Sequence, residues 1–296
     1  MRREFPKRNE KVIEALMSAS SLVSVFTTIG IIVVLAVDSF KFFSEVSIID
    51  FLTDTEWTPL FENKHFGILP LLTGTLLTTI IASLVAIPLG ITIAVYLSEY
   101  APKRFTLIVK PILEVLAAIP TVVYGFFALQ YVTPLLQKFI PGLSGFNALS
   151  PGIVMGIMIM PYITSLSEDA LRAIPNSLRE ASYGMGANRF QTAFKVMIPA
   201  ASSGIVVSII LAISRALGET MIVAIAAGQE PKLTFNPLES VETITTYIIQ
   251  VSMGDVPQDS LEYRTIFAAG LTLFVFTFIL NNISYWVIKK FRQQYD

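Results

Sequence analysis

The sequence predicts an all-α polytopic membrane protein with six transmembrane helices. Two observations lead there. Only 15% of the 296 residues are charged and 53% are hydrophobic, where soluble chains carry about 25% charged residues. The charges are also spaced to leave six long uncharged stretches: Ala15–Val37, Phe66–Ser98, Val115–Gln137, Phe139–Ser167, Val196–Ser214 and Thr265–Ile288. Each reaches or exceeds the ~18–20 residues a helix needs to cross a bilayer core.

The first stretch follows Arg2, Arg3, Lys7, Arg8 and Lys11. It is too long for a secretory signal and has no small-x-small cleavage site, so it reads as an uncleaved span. The middle stretches hold Pro88, Pro111, Pro120, Pro134, Pro151 and Pro161. Helix-breaking residues survive in a membrane where protein or a wet cavity satisfies the freed backbone groups, which suits a bundle around a pathway. Gly152 and Gly156 give the small-xxx-small spacing of close helix contact.

Orientation follows from Lys and Arg. Of 21 such residues, fifteen fall on the side holding both termini, five on the other, and Arg215 within a span; the basic side is cytoplasmic. The reading divides the chain into a cytoplasmic N-terminal segment, 1–14, and one membrane domain, 15–290. That domain contains a cytoplasmic loop at about 168–199 and an acidic outside segment at about 229–262. In the latter, Val241, Ile244, Ile248 and Val251 predict an amphipathic helix, either lying on the outer face or packed as a loop helix.

Most chemistry is excluded. The chain has no cysteine and one histidine, His65, and its formal net charge of −1 gives no case for nucleic acid. Gly142–Leu143–Ser144–Gly145 matches a rhomboid-type G-x-S-G string, but no base is evident beside the serine, so an intramembrane enzyme stands as the remote alternative. No P-loop or H-E-x-x-H string is present, so no catalytic, metal or nucleotide site is expected in this chain.

Two features point to function. Arg215, the charge that ends the fifth stretch, sits about a dozen residues into the fifth span, where a charge is costly and marks a pathway. Glu219 follows at i+4, one face of a continuous helix and within pairing reach. Glu114 is expected to pair with Lys110 at i−4, and Glu168 and Asp169 to be interfacial. The 168–199 loop reads as two short helices around Gly184 and Gly186, with Phe190, Phe194 and Met197 forming one apolar face that needs a partner surface.

This loop resembles the EAA loop of ABC-importer permeases, E-A-A-x3-G-x9-I-x-L-P. Glu180, Ala181, Gly186 and Pro199 match in spacing, with Ser182 for the second Ala, Val196 for Ile and Ile198 for Leu. The stretches Ala118–Phe127 and Arg215–Met221 are similar to segments of the phosphate-specific (Pst) permeases. The resemblance covers roughly residues 12–290 and implies a MetI-like (type I importer) fold in a bacterial cell membrane. It implies coupling of Glu180, Ala181, Gly186, Phe190, Phe194, Ile198 and Pro199 to an ATPase, with Arg215 and Glu219 on the substrate path. The implied partners are a second permease (PstA-like), two ATPase subunits (PstB-like) carrying ATP and magnesium, and an extracytoplasmic phosphate-binding protein (PstS-like). The same architecture also serves molybdate, tungstate, sulfate or phosphonate, and those oxyanions remain alternatives.

Overall fold

The computed structural model describes residues 7–291; Met1–Pro6 and the end of the chain from Arg292, which carry part of the basic-residue argument, lie outside the described residues. The chain begins with α1 (Lys7–Glu45) and the short α2 (Ile48–Thr53), followed by α3 (Leu69–Val95), which runs on through a π-turn at Tyr96–Tyr100. Next come α4 (Lys103–Ala118), α5 (Thr121–Phe127), a π-turn at Ala128–Val132, α6 (Thr133–Gln137) and α7 (Leu149–Arg172). The loop region holds α8 (Asn176–Gly184), α9 (Arg189–Thr192), a π-turn at Ala193–Met197 and α10 (Ile198–Ala200). The chain then continues through α11 (Ser202–Leu217), α12 (Met221–Ala226), α13 (Ile244–Met253) and α14 (Leu261–Phe291).

Among the described residues, α1, α3, α7 and α14 are each long and apolar enough to span a membrane unbroken. Two helix pairs are long and apolar enough only together, across a bend: 103–118 with 121–137 at 87°, and 189–200 with 202–217 at 71°. Counting each pair as one span gives six, with two corrections to the sequence reading. The third stretch, Val115–Gln137, straddles the bend instead of forming one rod. Pro120 drives Ile119 out of the helical region (φ −61°, ψ 130°). The fourth stretch is helical only from Leu149; residues 138–148 form a loop stitched to the 228–241 segment by Ser144 N–H to Leu238 O (3.1 Å) and Ala148 N–H to Glu239 O (3.0 Å).

The centre of the bundle is the α3–α7 seam. On α3, Leu71, Thr75, Thr79, Ala82, Ala86 and Gly90 recur at helical spacing and are buried. A Cβ at Gly152 would sit 2.7 Å from Ile81, one at Gly156 2.7 Å from Val85, and one at Gly90 2.9 Å from Ile163. Glycine thus alternates between the two helices along one contact line, realising the Gly152/Gly156 spacing. The buried threonines donate to their own backbone (Thr75 to Leu71 O 2.8 Å, Thr79 to Thr75 O 2.7 Å) and so fit an apolar seam. Helix α11 joins through Gly204 against Ala170 and a Ser167–Ser208 hydroxyl pair at 2.7 Å.

Helix α1 packs on α14, the pair tied at one end by Arg264 Nη1 to Glu45 Oε1, 2.9 Å. At that end, away from the 176–200 loop, α13 is sunk into a core of Phe42, Phe51, Trp57, Leu71 and Ile266. Of the two readings for α13 the packed one holds, because Ile244, Tyr247 and Val251 all face that core. Immediately before it, Glu242 is 1% exposed with Oε1 unpartnered, and its carbonyl oxygen lies 2.1 Å from where a Cβ on Gly74 would be. Burial pushes the Glu242 carboxyl up to about 8, so it is protonated at neutral pH.

Two predictions follow from this packing. Replacing Gly156 by Leu forces α3 and α7 apart and is expected to destabilise the protein by about 1–3 kcal/mol or more, read as lost detergent-solubilised yield and a lower Tm. Gly30→Leu, where nothing lies within 4 Å, is the control. For Glu242, a folded pKa above the ordinary 4.5 means the folded state holds a proton the unfolded chain releases. Its contribution is full below about 4.5 and lost as pH rises through about 8, on the order of a few kcal/mol. Glu242→Gln should flatten this decline in Tm between about pH 5 and 8; an unchanged slope would refute the assignment.

Candidate functional site

Helix α11 rises 1.5 Å per residue, which places Arg215 about 20 Å from its start. The helix ends two residues later. Gly218 (φ −90°, ψ 3°) terminates it and α12 begins at Met221 on a new axis. Arg215 and Glu219 are therefore not one turn apart on a continuous helix, and they form no ion pair, which corrects the i, i+4 reading. Arg215 is exposed at the bundle surface, its guanidinium 4.9 Å above the ring centroid of Tyr162 on α7. Glu219 is 8% exposed. Its Oε1 accepts from Ile222 N–H at 3.4 Å, at the positive end of α12, and its carbonyl accepts from Thr245 Oγ1 at 2.8 Å.

Charged side chains within spans almost always face a bundle interior or a wet cavity and not hydrocarbon. The surrounding backbone supports such a break. Tyr124 Oη donates to Leu116 O (2.7 Å), one of the carbonyls orphaned where α4 ends. A Cβ on Gly125 would lie 3.1 Å from Met221 O and 2.9 Å from Ile225, so α5 sits directly against α12. The two stretches singled out by their similarity to one transport system, 118–127 and 215–221, are thus packed together.

Tyr162 also walls a cavity of about 240 Å³ between α4 and α7, lined on its other sides by Lys110, Leu113, Glu114, Ser165 and Glu168. Lys110 does not pair with Glu114. It reaches across to Glu168 and, at 3.2 Å, to Asp169. Glu168 is fully buried and also paired with Arg172, so it is a structural junction and not an interfacial acid. The sequence signal for it was Arg172 at i+4; the Lys110 partner is 58 positions distant and leaves no local trace.

The 176–200 loop has the expected two short helices. Gly186 adopts φ +83° with nothing near its missing Cβ, so the requirement is the left-handed turn, not a close approach. Asn188 then caps α9 in a reciprocal box with Gln191 (2.8 and 3.0 Å). Glu180, Ala181 and Pro199 are exposed, and Ile198 is half-buried. The single apolar face is corrected: the π-turn at Ala193–Met197 inserts an extra residue and rotates Met197 into the core, fully buried. Phe190 and Phe194 stay exposed, rings 4.5 Å apart, beside Tyr96, Tyr100 and Ile91 of the second span. Sequence reasoning missed Met185, 89% exposed at the loop tip, and the seat of Arg215 on Tyr162. His65 is held by Asp54 (2.9 Å) and Glu56, not by Ser144, so the serine-protease string has no base.

With this geometry in view, the comparisons are specific. A family profile described as "Binding-protein-dependent transport system inner membrane component" matches residues 86–293. The chain is 36% identical over 266 residues to the probable ABC transporter permease protein YqgH of Bacillus subtilis, covering 89% of this chain and 86% of that protein. It is 34% identical to the phosphate transport system permease protein PstC of Mesorhizobium japonicum, over 81% and 78% of the two chains. Among solved structures, a chain of a bacterial alginate ABC transporter in complex with a pentasaccharide-bound periplasmic protein superposes with TM-score 0.64 at 16% identity. That match covers 93% of this chain and 94% of the other.

Proposed function

The chain belongs to the binding-protein-dependent transport inner membrane components, and from that membership we propose that it is the PstC-like permease subunit of an ATP-driven importer of inorganic phosphate. It has the MetI-like permease fold, and as a transport subunit it is not itself an enzyme. Phosphate is favoured over molybdate, tungstate, sulfate or phosphonate by the names of relatives at 30–34% identity over most of the chain.

The observation that carries the reading in this chain is Arg215. A phosphate crossing the bilayer brings one to two negative charges into a path where desolvation is costly. A guanidinium held on an aromatic face, with no carboxylate neutralising it, offers charge and a planar donor fork to such an anion. Glu219, placed beside the break through the α12 backbone, shapes the path and keeps it from holding the anion too tightly. Glu180, Ala181, Gly186, Phe190, Phe194, Ile198 and Pro199, with the exposed Met185 at the tip, form the region offered to a nucleotide-hydrolysing subunit. The partners are a second, PstA-like permease, two PstB-like ATPase subunits that bring ATP and magnesium, and a PstS-like binding protein outside. Both termini face the cytoplasm. The segment 1–14 precedes a membrane domain at 15–290 that includes the 168–199 loop and the outside segment 229–262.

Two measurements check this. In the assembled complex reconstituted into vesicles, Arg215→Gln is expected to reduce phosphate uptake to background while assembly persists, and Arg215→Lys to restore it in part; uptake unaffected by Arg215→Gln rules out the anion-relay role. For orientation, the absence of native cysteine allows single labels. An impermeant thiol reagent added outside intact cells should modify Phe235→Cys and spare Met185→Cys, and the opposite pattern would invert the topology.

A further inference from the structure

None of the nine residues of helix α8 is fully buried; its apolar anchorage is the half-buried Leu178, which rests on the core around Leu171, Ile174 and Met197, and a helix this short needs more than that to hold its place. Its main polar anchor is one guanidinium. Arg179, whose side chain is 15% exposed, donates from Nη2 to Glu99 Oε1 at 2.9 Å and from Nε to both Glu99 oxygens at 3.3 Å. The Glu99 side chain is itself 5% exposed and is oriented by Ser98 Oγ at 3.0 Å. The same guanidinium donates from Nη2 to Leu171 O at 2.9 Å and from Nη1 to Ile174 O at 3.0 Å and Asn176 Oδ1 at 3.2 Å. Leu171 lies in the last turn of α7 and Ile174 just past its end, where carbonyls lack helical partners. Glu99 lies in the π-turn that ends the second span, 80 positions away in sequence. A single side chain therefore joins the loop helix to the ends of two spans, and those spans are the two that meet along the glycine seam.

The other polar tie of α8, Ser182 to Thr192, leads only to the neighbouring loop helix. Arg172 Nη2 to Leu97 O, 3.4 Å, runs alongside the Arg179 junction but stops short of α8. Only a planar fork with five donors can meet a carboxylate on one edge and carbonyls on the other.

We propose that Arg179, acting through Glu99, is a positioning residue that makes α8 and the second and fourth spans move as one piece, so that displacement of the loop by the ATPase reaches the transport path. This rests on the importer reading above. Without the junction, α8 can follow the ATPase while the spans stay behind, and ATP is hydrolysed without transport.

The test uses the complete complex in vesicles and reads two rates together, phosphate uptake and ATP hydrolysis, normalised to assembled complex. Arg179→Gln and Glu99→Gln are each expected to keep hydrolysis close to wild type and lower phosphate moved per ATP by about tenfold or more, as befits loss of one member of a buried charge pair. Arg179→Lys, which keeps the cation without the fork, should fall between. A wild-type ratio in Arg179→Gln overturns the proposal. So does a loss of complex yield with both normalised rates unchanged or lowered in parallel, which is what a merely structural role gives. If Arg179→Gln does not assemble, Arg179→Lys and Glu99→Gln decide by the same ratio, a wild-type value overturning the proposal. Should the wild-type complex move no phosphate but respond to sulfate or molybdate, the substrate reading fails and the same ratio is taken with that anion.

Discussion

Close approach of α3 and α7 is the constraint on which the rest of the structure depends. In lipid there is no hydrophobic force between two apolar helices; association rests on packing and polar contacts. Gly152, Gly156 and Gly90 let the two backbones meet where Ile81, Val85 and Ile163 fill the space a Cβ would take. Helix α11 then docks through Gly204 and Ser208, and the Val241–Glu242 segment that leads into α13 crosses the far end of α3 at Gly74. At the loop end the second span carries Glu99, pinned by Arg179 of α8, and α7 carries Glu168, pinned by Lys110 of α4 and by Arg172 of its own helix. The seam therefore sets the position of the loop as well as of α11 and its Arg215.

Around this rigid pair the chain breaks where function asks for irregular backbone, and each break is covered. Tyr124 serves the end of α4, Glu219 serves the start of α12, and Thr245 serves the turn between α11 and α12. Broken helices survive at membrane depth only on such terms. The break between α11 and α12 follows Arg215 by two residues, so the backbone groups it frees lie close in sequence to an exposed cation.

Much of this was legible. Charge spacing marks the spans because a charge in hydrocarbon is costly, and the Gly152/Gly156 spacing marks the seam because only small residues permit it. The loop was legible through its fixed pattern of Glu180, Gly186 and Pro199. What hydropathy does not carry is direction. Val115–Gln137 is uncharged straight through an 87° bend, although Pro120 stood at the corner, and Pro141, Gly142 and Gly145 signalled that 138–148 is loop. The Arg215–Glu219 pairing failed at Gly218, a residue that ends helices. The π-turn that parts Met197 from Phe190 and Phe194 has no comparable signature. Pairs such as Lys110 with Glu168 arise from tertiary placement alone.

Ser182 stands where the loop motif has its second alanine, and its hydroxyl lies 2.9 Å from that of Thr192, which is fully buried. An alanine at 182 would leave Thr192 buried without that partner, and a valine at 192 would leave the serine without one; changing both at once restores an apolar contact. The two positions are therefore energetically coupled across a ten-residue gap. A motif scored position by position counts the serine as a lapse, whereas scored as a pair it is one of two self-consistent ways to hold the loop helices together.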